Sequence, residues 1–151
     1  MEHVISGVLL VLKLASLYFF VVALFALKKP KAIPRANPKT KFACVIAARN
    51  EERVIGGLVE SLLRQKYPKT LFDIYVVPNN CTDHTALAAI RAGAKVLRLQ
   101  TQVHCKGDAL HEALGRLLQQ DYDAFCVFDA DNFAEENFLA RMNDAFCAGA
   151  K

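Results

Sequence analysis

A chain of 151 residues, 54% hydrophobic and 23% charged, has room for one modest domain. Its net charge of +4 is unevenly placed: residues 42–151 carry 12 basic against 14 acidic side chains, net −2, which excludes a basic nucleic-acid-binding face on the globular part. Five cysteines, odd in number and without a Cys-x-x-Cys pair, argue against a disulfide framework and lack the ligand spacing of a structural zinc site.

Residues Val4 to Leu27 are apolar apart from Ser6, Lys13 and Ser16. Counted from Leu9, the run is about 19 residues or roughly 28 Å of helix, close to the hydrocarbon thickness of a bilayer. Lys13 lies near enough to one end to snorkel. A cleaved signal peptide wants a basic start, whereas this chain begins Met-Glu-His and its basic residues follow the apolar run. Residues 4–27 are therefore expected to be an uncleaved transmembrane helix. Residues 28–41 hold Lys28, Lys29, Lys31, Arg35, Lys39 and Lys41 with no acid, and Pro30, Pro34 and Pro38 make them an extended linker. The positive-inside rule puts this linker in the cytoplasm. The expected arrangement is a single-pass protein of the cell membrane, N-terminus outside, with its globular part cytoplasmic and its thiols reduced.

From residue 42 the pattern alternates. Phe42 to Ala48 is an apolar run and a first strand. Glu51 to Lys66 repeats apolar residues at three and four and is a first helix, with Val54, Leu58, Ser61, Leu62 and Gln65 on one face. Phe72 to Val77 is a second strand. A second helix opens at Thr82-Asp83, runs through Arg91 and closes at Gly93. Lys95 to Leu99 is a third strand, Gly107 to Gln119 a third helix, Ala124 to Phe128 a fourth strand and Glu135 to Phe146 a fourth helix. Cys44 and Cys126 fall inside strands as small core residues. Four unbroken strand–helix alternations predict a parallel, doubly wound α/β sheet, with ligands beyond the carboxyl ends of its strands.

The fourth strand ends in Asp129-Ala-Asp131. In extended backbone, residues two apart project to one side, so both carboxylates are expected to converge on a hard divalent cation, Mg²⁺ or Mn²⁺, that leaves room for phosphates. The competing reading is a solvated turn. Neither a sugar-phosphate nucleotidyltransferase nor a response-regulator receiver fits: Ala47-Ala-Arg-Asn-Glu is not a glycine-rich loop, and no acid pair stands directly at the end of the first strand, where Ala47-Ala-Arg-Asn50 lie.

Four junctions together resemble one family. Ile46-Ala-Ala-Arg-Asn-Glu-Glu52, Val77-Pro-Asn-Asn-Cys-Thr-Asp-His-Thr85, Lys106-Gly-Asp-Ala-Leu110 and Asp129-Ala-Asp131 resemble, in order, the motifs of glycosyltransferase family 2. The resemblance covers residues 42 to about 146 and implies a GT-A (Rossmann-like) fold over 42–151. It also implies inverting transfer of a sugar from a UDP-sugar to a saccharide or lipid-linked acceptor. It places Ala47, Asn50 and Glu51 along base and ribose. Asn79 stands where the family usually has an aspartate that accepts the uracil N3–H; an amide oxygen accepts the same bond. Lys106 is implied at the diphosphate, Asp129 at ribose or metal, and Asp131 at the metal. Pro78, Asn79 and Ala47 depart from the family pattern. Asp83 is expected to brace its turn, and Glu51 and Glu52 also suit a helix N-terminus. The general base follows Asp-x-Asp by tens of residues in this family and is expected beyond Lys151, so the sequence reads as the anchor and N-terminal, donor-binding half of a longer transferase. The alternative is a non-catalytic, membrane-anchored nucleotide-binding remnant or partner subunit.

With the N-terminus outside, an impermeant thiol reagent added to intact cells should leave Cys81 and Cys105 unlabelled until the membrane is opened. Labelling without permeabilisation would reverse the orientation.

Overall fold

The computed structural model describes residues 1–27 and 32–149. Lys28, Lys29, Pro30 and Lys31 of the basic segment, and Lys151, lie outside the described residues. The chain divides into two compact units, Met1–Ala32 and Ile33–Lys151. The first is a helix, α1 (Glu2–Ala26), whose stretch Ile5–Ala26 is long and apolar enough to cross a membrane. Its large apolar side chains, among them Leu9, Phe19 and Phe25, are exposed.

The second unit is an α/β sandwich of β1 (Phe42–Ala48), α2 (Ile55–Leu63), β2 (Phe72–Pro78), α3 (Thr85–Ala92), β3 (Lys95–Val96), α4 (Lys106–Leu117), β4 (Ala124–Asp129) and α5 (Phe138–Cys147). The four strands run parallel in the order β3-β2-β1-β4, as the alternation predicts. All seven residues of β1 are buried, because the strand is paired on both edges and covered on both faces. Its even-numbered side chains, Phe42, Cys44, Ile46 and Ala48, pack with Leu58, Val59 and Leu62 of α2, Ala89 of α3 and Leu139 of α5. Ala43 and Val45 face the other way, onto Ala109, Ala113 and Leu117, spaced four apart along α4. Burial pushes the Cys126 thiol up to about 11 and moves the Cys44 thiol the same way. Both are the core residues expected of them.

The strands and the αL cap at Gly93 (φ 100°) lie where expected, but several boundaries move. The first helix begins at Ile55, not Glu51. Residues 51–54 form a turn in which Val54 and Ile55 donate to the Glu51 carbonyl, and Val54 is exposed while Ile55 takes the buried place. The second helix begins at Thr85 because the Asp83 carboxylate accepts the Thr85 and Glu52 amides. The last begins at Phe138 because the Glu135 and Glu136 carbonyls accept bonds from Gln65 and Lys66 across the layer. β3 stops after Val96. Leu97 still donates to the Val76 carbonyl, but the next β2 residue facing it is Pro78, which has no N–H to give.

The linker also differs from expectation. Residues 32–41 form neither helix nor strand, yet their end is bonded into the domain. Asn143, fully buried, accepts the Lys39 and Thr40 amides and donates to the Asn37 carbonyl, while Asp144 accepts the Ala36 amide at 2.8 Å. Tyr67 closes the cluster by donating to the Thr40 carbonyl. Asn143→Ala would strand several buried donors at once, and its expected cost is about 2–4 kcal/mol. Thermal unfolding followed by circular dichroism of the whole chain in detergent should show a clearly lowered midpoint; an unchanged midpoint would mean the clamp carries no stability.

Candidate functional site

Parallel pairing brings the carboxyl ends of β1, β2 and β4 to one edge. Ala48 lies beside Pro78, and Ala47 beside Asp129. The Asn79 amide donates to the Ala48 carbonyl at 2.8 Å, extending that ladder by one step. Above this edge opens a cavity of about 540 Å³, within the size range of small-molecule sites. Its floor and walls are Ala47, Ala48, Arg49 and Glu51 after β1, Asn79 after β2, and Asp129, Ala130 and Asp131 after β4. His104, Cys105 and Lys106 close it from the start of α4.

The loops around the cavity are fixed by polar side chains that satisfy backbone groups. Asn50 and Asn80 both sit at positive φ (57° and 47°), which asparagine tolerates better than most residues. Asn50 Oδ1 accepts the Thr82 amide at 2.8 Å, and Asn80 Nδ2 donates to the Val103 carbonyl at 2.7 Å. Thr85 Oγ1 accepts the Glu51 amide, Asp83 accepts that of Glu52, and Glu52 in return accepts the His84 amide. Desolvation pulls the Asp83 carboxyl up, but bonds from the Thr85 hydroxyl and amide and from the Glu52 amide hold it below the ordinary range. At α4, the Asp108 carboxylate accepts the His104 and Cys105 amides at 3.0 and 3.2 Å, which lowers its pKa and seats Lys106 as the first helical residue.

Six of the seven residues predicted from sequence line this one cavity: Ala47, Glu51, Asn79, Lys106, Asp129 and Asp131. Asn50 does not; its side-chain oxygen is spent on the Thr82 turn. The two aspartates reach the cavity differently from expectation. β4 ends at Asp129, and Asp129-Ala130-Asp131-Asn132 is a turn closed by the Asn132 amide on the Asp129 carbonyl, so the pair does not share an extended strand. Arg49 lines the cavity within the Ala47–Glu51 stretch, and His104 and Cys105, which no motif singles out, line it immediately before Lys106 at the cap of α4.

Two features carry chemical information. Asn79 lines the cavity and is 4% exposed, and its buried Oδ1 has no hydrogen-bond partner among the described residues. A buried acceptor left unpaired is costly, which sets this amide apart from the other polar groups of the edge. Lys106 Nζ forms an ion pair with Asp129 Oδ1, whereas Asp131 has no ion-pair partner among the described residues. Among the described residues no group of three or more His, Cys, Asp or Glu is placed to hold a metal. Two carboxylates beside an open cavity nevertheless suit Mg²⁺ or Mn²⁺, which are held through one or two carboxylates with phosphates and water completing the shell.

A parallel sheet with an acid pair and a helix-start lysine at its carboxyl edge is an α/β domain of GT-A-like fold. Residues 43–151 match the family described as Glycosyl transferase family 2, and the chain belongs to that family. It is 30% identical over 114 residues to the beta-monoglucosyldiacylglycerol synthase of Synechocystis sp., covering 74% of this chain and 24% of that protein. The structure of Staphylococcus aureus TarS 1-349 in complex with UDP superposes with a TM-score of 0.59 at 25% identity, over 72% of this chain and 32% of that one. The mannosyltransferase PcManGT of Pyrobaculum calidifontis shares the fold, with a TM-score of 0.68 at 20% identity over 85% of this chain and 39% of that one. The chain spans between 18% and 30% of the length of the curated relatives it matches.

The depressed Asp108 carboxyl makes its contribution above the ordinary aspartate pKa of about 4 and loses it only as pH falls through the lower folded value. In an NMR titration, the Cys105 amide resonance should show a step below about pH 4 that is absent in Asp108→Asn. The same step in Asp108→Asn would break the assignment of Asp108 as its acceptor.

Proposed function

We propose that residues 42–151 bind the donor of an inverting sugar transfer, a UDP-sugar, together with Mn²⁺ or Mg²⁺. The free, buried Asn79 Oδ1 carries this reading, since it is a neutral acceptor where uracil would offer N3–H. Ala47 to Glu51 flank base and ribose, with Asn50 acting through the turn rather than by contact. Lys106 meets the diphosphate at the amino end of α4, where unpaired helix amides also favour anions. Asp131, with Asp129, would hold the cation, which supplies charge stabilisation for the departing diphosphate.

The acceptor in this reading is a saccharide or a lipid-linked group at the cytoplasmic face of the cell membrane, with α1 as a single-pass anchor. Two observations support it: the basic residues that follow α1, and a relative named as a glucosyldiacylglycerol synthase.

Calorimetry with UDP tests the site. Binding should require Mn²⁺ or Mg²⁺ and vanish in excess chelator. Asp131→Asn should weaken it by tenfold or more, and Asn79→Ala by about tenfold, the worth of one buried hydrogen bond. Both variants should keep the wild-type circular dichroism spectrum. Equal UDP affinity with and without metal would make Asp-x-Asp a turn and nothing more.

A further inference from the structure

The two acids after β4 are not equivalent. Asp129 is fixed by the sheet, in register with Ala47, and its Oδ1 accepts the ammonium of Lys106. Asp131, beyond the turn, has no ion-pair partner among the described residues. Lys106 is brought to Asp129 by backbone structure rather than by burial, because the Asp108 cap fixes the first turn of α4. Both side chains of the pair are about half exposed, at 45% and 63%. Ion pairs of this exposure are weak and exchange readily for stronger partners.

We propose that Lys106 competes with the divalent cation for the Asp129 carboxylate, and that the nucleotide's diphosphate relieves the competition by drawing the ammonium away. This rests on the donor-site reading above and deepens it. An ammonium is a compact charge with three donors and no directional preference for Asp129. A diphosphate beside it offers several anionic oxygens in place of one. Once Lys106 moves to the phosphates, Asp129 is free to join Asp131 at the metal. Nucleotide and metal then each raise the other's affinity by the same factor, as linkage requires. Part of that factor comes from phosphate oxygens touching the metal directly. The part that passes through Lys106 is separable, because it depends on both Lys106 and Asp129.

The test is Mn²⁺ binding, read as loss of the free-ion electron paramagnetic resonance signal, on the untagged 151-residue chain in detergent, with and without UDP. Lys106→Met should bind Mn²⁺ alone up to about fivefold more tightly than wild type, the equivalent of one exposed ion pair. It should also show a smaller enhancement by UDP. Lys106→Arg, which keeps the charge, should bind Mn²⁺ alone as wild type does. In an Asp129→Asn background the tightening by Lys106→Met should disappear, since the contested carboxylate is gone. A lysine that only binds phosphate would leave Mn²⁺ affinity without UDP unchanged, and that result overturns the competition while sparing the donor site. Tightening that persists in Asp129→Asn overturns it too, because the effect would then be the general field of the cavity. Failure of the wild-type chain to bind Mn²⁺ with or without UDP overturns the competition and the donor-site reading together.

Discussion

Burial of β1 on every side is the constraint from which the rest of this domain follows. A strand with seven buried residues and partners on both edges cannot slip by one residue without turning Ile46 and Val45 toward the wrong layers. That register fixes where the chain leaves the sheet. Ala47 is set beside Asp129 and Ala48 beside Pro78, so the loops after β2 and β4 each start one strand spacing from the loop after β1. The cavity is a consequence of parallel pairing, since an antiparallel neighbour would have delivered its loop to the opposite edge.

Polar residues at that edge divide by what their atoms are already doing. Asn50, Glu52, Asp83 and Asp108 each accept at least one backbone amide from another turn or from the cap of their own helix, and their carboxylates and amides are thereby committed. Asn79 Oδ1 and the Asp131 carboxylate accept nothing from the described residues, and both residues line the cavity. The committed group makes the loops rigid without needing the core. The uncommitted group is then held at fixed positions with acceptor capacity to spare, which is the preorganisation a binding site requires.

The sequence made the sheet legible because β1, β2 and β4 are apolar runs of ordinary strand length, and Gly93 marked a helix end by its left-handed backbone. Helix starts were legible only to within three or four residues. Glu51, Thr82 and Glu135 look like N-terminal residues, but their turns are bonded across the fold, to Thr85, Asn50 and Gln65 respectively. Those partners lie 32 or more residues away, beyond the reach of any local pattern. The early end of β3 depended on Pro78 of another strand, and the Lys106–Asp129 pair joins two motifs that the sequence presents separately. Of the seven residues that the family motifs single out, by contrast, six line the cavity, because three of the motifs follow strand ends and the fourth opens α4. The exception, Asn50, shows the limit: a motif residue can be required for the turn that shapes a site without facing it.

The charge of the cavity gives a reason for a metal in the proposed reading. Glu51, Asp129 and Asp131 face Arg49 and Lys106, a balance of one negative charge. A nucleoside diphosphate sugar brings about two more, and at the short distances of a cavity this size like charges repel by several kcal/mol at an effective dielectric of about 20. Lys106 alone cannot reverse that balance, because its charge is already paired with Asp129. A divalent cation changes the sum by two. With it bound, Asp129 and Asp131 would serve as ligands instead of obstacles, and the lysine would be free to meet the phosphates. The acid pair that makes the cavity hostile to a bare diphosphate is therefore the same feature that makes it hospitable to the metal complex, and discrimination between the two needs no additional residue.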